Sequence, residues 1–215
     1  MIKNLVYKEF RLNIVKYSYL WFASVLLLFI PGWVFFVAIG YIFFLFMILT
    51  QTDKVNNDLA FALSLPVPKS GIVMARACTL VIIELAVLVA AVPVCVARYY
   101  LYPGGNNVTM NTNIVFFAAM LIMFSTFNII YLPGAYSKAY RILRPFLGGY
   151  VTSLIVGGVI TFAIALSPAL APFNDRGLGQ LGLQIACLGF GILVYAGLTY
   201  LSYRRARANF AKVDL

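Results

Sequence analysis

The sequence predicts an all-α membrane protein with six transmembrane helices, because its charge-free stretches are very long and its charges gather in a few short segments. No charged residue falls between Lys16 and Asp53, from Tyr99 to Ser137, from Pro145 to Asn174 or from Gly177 to Tyr203. A helix needs roughly 20 apolar residues to cross a hydrocarbon core about 30 Å thick, and each run is longer than that. Of 215 residues, 63% are hydrophobic and 10% charged, whereas a soluble domain carries about a quarter charged.

Residues 2–16 read as an amphipathic helix lying along the membrane surface. On a helical projection Ile2, Leu5, Val6, Phe10 and Leu12 share one arc, with Lys3, Asn4, Lys8 and Arg11 opposite, where lipid headgroups would meet them. Glu9 breaks the pattern, since it sits within the apolar arc. It either snorkels into water from a frayed helix or pairs with a basic residue and pins the segment to the bundle. The basic stretch is long and no small-residue cleavage site follows it, so the first helix reads as retained.

Pro31-Gly32 divides the first charge-free run into helix 1 (about 17–30) and helix 2 (about 33–51). Helix 1 is short for a crossing, so it either recruits the preceding segment or turns shallowly. Helix 3 is expected at about 70–97, helix 4 at 112–132, helix 5 at 146–167 and helix 6 at 181–203. Between the last two, 163–180 contains Pro168 and Pro172. Broken backbone at membrane depth survives only where protein or a water-filled cavity covers it, so this stretch reads as a re-entrant hairpin or as an ordinary outer loop. The chain reads as one domain over 1–215.

Orientation follows from the basic residues. Fourteen of the 16 flank the N-terminus, the helix 2–3 and helix 4–5 connections and the C-terminus, Lys138, Arg141 and Arg144 among them, and only Arg98 and Arg176 fall opposite. Positive residues collect on cytosolic loops, so both termini are expected in the cytosol of a cell-membrane protein. The same distribution accounts for the net charge of +10 without nucleic acid as a partner. Histidine is absent, and Cys78, Cys95 and Cys187 lie in apolar stretches without CxxC spacing. That argues against a metal site and a disulfide framework alike.

One connecting stretch is unlike a plain loop. It runs Asp53-Lys54-Val55-Asn56-Asn57-Asp58-Leu59-Ala60-Phe61-Ala62-Leu63-Ser64-Leu65-Pro66-Val67-Pro68-Lys69. A short helix over 53–65 is expected, capped by Asp53, stopped by Pro66 and braced by a Lys54–Asp58 pair. Val55, Leu59, Ala62 and Leu63 would form one apolar face, and Phe61 with Leu65 a second. A surface helix with two apolar faces touches two things, its own bundle and something that docks on it. The alternative is that Phe61 packs beneath a neighbouring loop.

With these elements the chain resembles the ABC-2 type transporter permeases, the membrane subunits of ATP-binding-cassette exporters. The resemblance covers the start with Lys8-Glu9-Phe10, the six helices, and the short helix ending in Ser64-Leu65-Pro66-Val67-Pro68-Lys69, followed by Ile72-Val73 and Ala75-Arg76. In length and layout the chain is most similar to permeases exporting amphipathic peptides such as phenol-soluble modulins. The resemblance implies a dimer of permeases, either two copies or two related chains, above two ATPase subunits. It makes Asp53, Lys54, Asp58, Phe61, Leu65, Pro66 and Lys69 the residues coupled to the ATPase, and Glu9, Phe10 and Arg11 the marks of the interfacial helix. The chain has no GxxxxGK[ST] pattern, so the resemblance places ATP and Mg on the partner chain and no cofactor on this one. The apolar, aromatic-rich bundle suits an amphipathic, peptide or lipid-like cargo.

Glu84 lies near the middle of helix 3, where an acid must be paired, protonated or wetted. It is a candidate for a transport-path or proton-linked role, or for a structural hydrogen bond to Ser125, Thr126 or Asn128. Gly148, Gly149, Gly157 and Gly158, with Gly189, Gly191 and Gly197, allow close helix contact within one chain or across a dimer. Two other function classes remain in view. A membrane scaffold or channel subunit would need no ATPase. An intramembrane enzyme is disfavoured, because there is no histidine and no clustered acids or GxS motif within the membrane to supply its chemistry.

Overall fold

The computed structural model describes residues 2–137 and 143–213. Of the residues counted for orientation, Lys138 and Arg141 lie outside that range. Among the described residues every regular element is a helix. Helix α1 spans Ile2–Lys8 and widens into a π-helical turn over Glu9–Asn13. A 3-10 helix follows over Lys16–Phe29, then α2 (Phe35–Gly40), α3 (Phe43–Val55), α4 (Asp58–Ser64) and α5 (Lys69–Leu101). The chain continues with α6 (Ile114–Ala135), α7 (Leu143–Leu166), two 3-10 turns at Pro168–Asn174 and Leu178–Gln180, and α8 (Leu181–Ala211).

Five segments are long and apolar enough to span a bilayer: Phe35–Val55, α5, α6, α7 and α8. The sixth candidate is a bent pair, in which Ile2–Asn13 meets Lys16–Phe29 at 89°. The two therefore do not join into one straight rod. The 3-10 geometry explains how the short second piece covers its distance. At about 2.0 Å per residue, the 14 residues of Lys16–Phe29 extend roughly as far as 19 α-helical residues would at about 1.5 Å each. Ile30-Pro31-Gly32-Trp33 then reverses the chain, with Gly32 at φ +72° and Trp33 N–H donating to the Ile30 carbonyl at 3.3 Å. A positive φ at the third position of such a turn is met most cheaply by glycine.

Several boundaries differ from the expected ones for a common reason. Helix α5 extends to Leu101 and α8 to Ala211, well beyond 97 and 203. Apolar runs end where charge begins, yet arginine and alanine continue a helix readily, so Arg204, Arg205 and Arg207 sit on a helix that has already left the apolar run. At the other end of the bundle, Asn113 caps α6 by accepting from Phe116 N–H at 3.1 Å.

Helix α6 is the hub. It packs most extensively on α8 and α7, and its buried face reaches the core through Phe116, Phe124, Phe127 and Tyr131. The Phe127 ring stacks on Phe43 at 4.2 Å between centroids and on Tyr131 at 4.8 Å. Close approach is paid for in side-chain volume. A Cβ at Gly191 would lie 2.9 Å from Ala118 Cα, and one at Gly157 would lie 2.8 Å from Met123 Sδ. Gly189 and Gly197 meet nothing within 4 Å and face outward. The glycines thus divide between contacts inside the chain and an open surface.

Both ends of the chain come to the same end of the bundle. Lys8 Nζ lies 2.5 Å from Asp58 Oδ2, at the start of α4, and Lys69 Nζ donates to the Val213 carbonyl at 2.8 Å. The opposite end joins the α5–α6 and α7–α8 connections. There Asn111 N–H donates to Asn174 Oδ1 at 2.7 Å, and Asn113 Nδ2 donates to the Phe173 and Asp175 carbonyls at 2.8 and 2.9 Å.

Candidate functional site

At the end shared by the termini, the break between α3 and α4 sets the geometry. The single helix expected over 53–65 is two helices. Asn57 adopts φ +50°, ψ 33°, the left-handed region that asparagine tolerates better than most residues. Helix α3 therefore runs through Asp53 to Val55, and α4 begins afresh at Asp58. Asp53 is not a cap but part of the last turn of α3. The Lys54–Asp58 brace is absent because the two residues belong to different helices, and Asp58 pairs with Lys8 instead. Val55 is exposed beside the break and does not join the inner face of α4.

Asp53, Asp58 and Glu9 converge, with carboxylate oxygens all within 4.8 Å of one another. Three acids so close need compensating charge. Arg76, in the second turn of α5, supplies it to two of them: its Nη2 lies 3.0 Å from Glu9 Oε2 and also bonds Asp53 Oδ2. Lys8 neutralises Asp58. Asn13 sits at the centre, fully buried, with Nδ2 directed at Glu9 Oε2 (3.1 Å), Asp58 Oδ2 (3.2 Å) and Asp53 Oδ1. The network joins α1 with its π turn, α3, α4 and α5. These carboxylates have the residue types of a cation site, and Lys8 and Arg76 already occupy their oxygens.

The face that α1 turns to the bundle is therefore Leu5, Glu9 and Asn13, all buried and spaced four apart, whereas Ile2 and Leu12 are exposed. The acid that broke the apolar pattern lies on the inward line and binds Arg76. Phe10 packs half-buried on the core, and Arg11 stays exposed, with Nη1 3.0 Å from the Tyr7 hydroxyl. Beside the network is a small cavity of about 50 Å³ bordered by Thr50, Asp53, Arg76, Tyr131 and Tyr136. Loss of hydration there raises the Tyr136 phenol above its ordinary value, against the pull of the Arg76 guanidinium.

Helix α4 has two unlike sides. Asp58 and Ala62 are buried, with Leu59 and Leu63 half-buried, while Phe61 is 56% and Leu65 37% exposed on the other side. Pro66 is exposed just after the helix, which stops at Ser64. Lys54 is exposed. Lys69 turns to the C-terminal segment, over the Phe210 ring. So Asp53 and Asp58 of the expected coupling residues enter the polar network, Phe61 and Leu65 form an open apolar face, and Lys69 joins neither.

Glu84 is fully buried in α5. Its Oε2 accepts from Asn128 Nδ2 of α6 at 3.0 Å and from the Tyr195 hydroxyl of α8 at 2.6 Å. Asn128 was among the partners the sequence suggested, and Ser125 and Thr126 instead bond the Ile122 carbonyl of their own helix. Tyr195 was missed, as were Asn13 and Arg76. Only a polar residue inside an apolar helix marked Tyr195, and that signal does not name a partner.

The sequence profile described as ABC-2 family transporter protein matches residues 4–205. No curated protein and no solved structure matches the chain.

Proposed function

The chain belongs to the ABC-2 family of transporter proteins, and from that premise we propose that it exports an amphipathic, peptide or lipid-like cargo, driven by a separate ATPase that grips the Phe61–Leu65 face of α4. As a multi-pass membrane protein of this family it is the permease subunit of an ABC transporter, a transport subunit and not an enzyme. The observation that carries the proposal is the two-sidedness of α4. Its outer side offers Phe61 and Leu65, while its inner side is tied through Asp58 to Lys8 and Asn13.

Hydrolysis can do work on a permease only if the nucleotide states of the motor favour different permease conformations. A pull on Phe61 moves a helix whose inner side is ion-paired to α1 and, through Asn13, to Asp53 and Arg76. The network thus carries displacement of α4 to α1, α3 and α5 together. ATP and Mg belong to the motor chain in this reading. A second permease, either a copy or a related chain, completes the pathway, and lipid surrounds it. Both termini and α4 face the cytosol of the cell membrane, a placement supported by the basic residues Arg204, Arg205 and Arg207 on the same end.

The test is reconstitution with the ATPase in vesicles. Phe61→Asp is expected to abolish co-purification of the ATPase and lower transport at least tenfold, with the fold of the permease unchanged. Tyr100→Ala, exposed at the opposite end, serves as the control and is expected to behave as wild type. Normal complex formation and transport in Phe61→Asp would overturn the docking face and favour a channel or scaffold that needs no motor.

A further inference from the structure

Two hollows meet on one side of the bundle at the end away from the termini. The outer one, about 500 Å³, lies where α7 gives way to the 3-10 turn and is bordered by Ile164, Ser167, Asn174, Asp175 and Gln180. The inner one, about 370 Å³, runs between α6, α7 and α8 and shares Ile164. Its lining is wholly apolar, with Ala118, Ala119 and Ala186 as its small residues. Each volume falls in the range of about 300–1,000 Å³ typical of small-molecule sites.

The depth stays within one leaflet. On α6 the lining runs from Val115 to Ile122, about 10 Å at 1.5 Å per residue, inside the roughly 15 Å of half a 30 Å hydrocarbon core. An apolar slot of that length beneath a polar mouth has the shape of a lipid, tail inward and headgroup outward. The charge of the mouth narrows the choice. Among the described residues Asp175 is the one acid at this end of the bundle, and it forms no ion pair. Oδ1 accepts from Gly177 N–H at 2.9 Å. The neighbouring Arg176 is turned away, donating to the carbonyls of Tyr99, Tyr102 and Pro103.

We propose that this groove holds a membrane phospholipid whose headgroup carries a primary amine, with an acyl chain between α6, α7 and α8 and the ammonium at Asp175. A primary ammonium offers charge and N–H donors to the carboxylate, and such charge-assisted bonds are the stronger kind. A choline headgroup brings the charge without a donor. A glycerol headgroup brings only the repulsion of its phosphate. The inference rests on the membrane architecture and not on the docking of an ATPase, so either can fail alone.

The experiment uses the full chain in nanodiscs of phosphatidylglycerol. Each disc is doped with one phospholipid bearing a diazirine in its acyl chain and an ethanolamine, choline or glycerol headgroup. After illumination, crosslinks are mapped by mass spectrometry. The ethanolamine lipid is expected to label 160–164 and 186–190 at least fivefold more than the other two. Asp175→Asn should remove that preference. Labelling on the outer face of α5, where Val89 and Val92 are exposed, should be the same for all three lipids and both proteins. Equal labelling of the groove by the three headgroups, or an unchanged preference in Asp175→Asn, would overturn the proposal. So would crosslinking of Cys187, which lines the groove, to Cys187 of a second copy, since the face would then be a contact between chains.

Discussion

The two ends of this bundle handle buried charge in opposite ways. At the end of the termini, Arg76 and Lys8 answer three carboxylates. At the other end, Arg98 is buried without an acid among the described residues. It donates to the Leu28 carbonyl at 2.6 Å and stands over the rings of Phe35 and Tyr102. Arg176 is likewise met by three carbonyls and the Tyr99 ring. The carbonyls of Tyr99 and Tyr102 lie at or just past the C-terminus of α5, where unpaired acceptors and the helix dipole favour a cation. The neutral set also ties separate elements, the 3-10 helix and α2 to α5 through Arg98 and the α7–α8 connection to α5 through Arg176. Each of those ties, however, is a cation on carbonyls and rings with no opposite charge to exchange. A charged set joins four separate elements, and moving any of them changes several strong interactions. That difference suits the first end to transmitting motion and the second to holding shape.

The largest expected effect comes from breaking the charged end. Arg76→Ala leaves Glu9 and Asp53 buried beside each other without compensation. Removing one partner of a buried pair costs about 3–5 kcal/mol, so the variant should unfold at a clearly lower temperature in detergent. The additional change Glu9→Gln removes one of the stranded charges and should restore part of the loss. A double variant as unstable as the sum of the two single ones would show that Glu9 and Arg76 do not act as a unit.

This network also marks where sequence reasoning stopped. The spans of α5 to α8 were legible because hydrophobic length alone selects them, although α5 runs on to Leu101 and α8 to Ala211 because a helix outlasts its apolar run. Glu9 was legible as an anomaly because a carboxylate within an apolar arc needs a reason. Its partner was not, since Arg76 is distant in the chain and periodicity is silent about contacts between elements. Asn13 was invisible because a neutral amide breaks no pattern. The 3-10 form of Lys16–Phe29 was also hidden, for a short apolar run fits either helix. The split at Asn57 had a local signal, the Asn56-Asn57 pair, which was outweighed by the continuous helical spacing on both sides.

At the neutral end the corresponding change is Arg176→Ala. It deletes bonds to the carbonyls of Tyr99, Tyr102 and Pro103, two of which are solvent-exposed. Hydrogen bonds to a charged group contribute about 1.5–3 kcal/mol when well shielded, and exposure lowers that, so a total near 1–2 kcal/mol is expected. Thermal unfolding should show a smaller drop than for Arg76→Ala. An equal or larger drop would reverse the contrast between the ends.

The smallest effect concerns the backbone that makes the charged end possible. Each end contains a residue at positive φ, Asn57 at +50° and Gly105 at +76°. A side chain at Gly105 is barred by contact as well as by φ, since its Cβ would lie 2.5 Å from Asn111 Oδ1. Asn57 is exposed and faces only the conformational penalty, roughly 1–2 kcal/mol for ordinary L-residues in the left-handed region. Asn57→Ala should therefore cost about 1 kcal/mol, and Asn57→Gly should change stability by no more than about 0.5 kcal/mol. The two variants are then to be compared in the ATPase-coupled transport assay. Because α4 must restart at Asp58 for that carboxylate to reach Lys8 and Asn13, Asn57→Ala should lose coupling while Asn57→Gly keeps it. Full coupling in both would mean that alanine holds the left-handed turn at that cost, or that the break between α3 and α4 does not matter to the network.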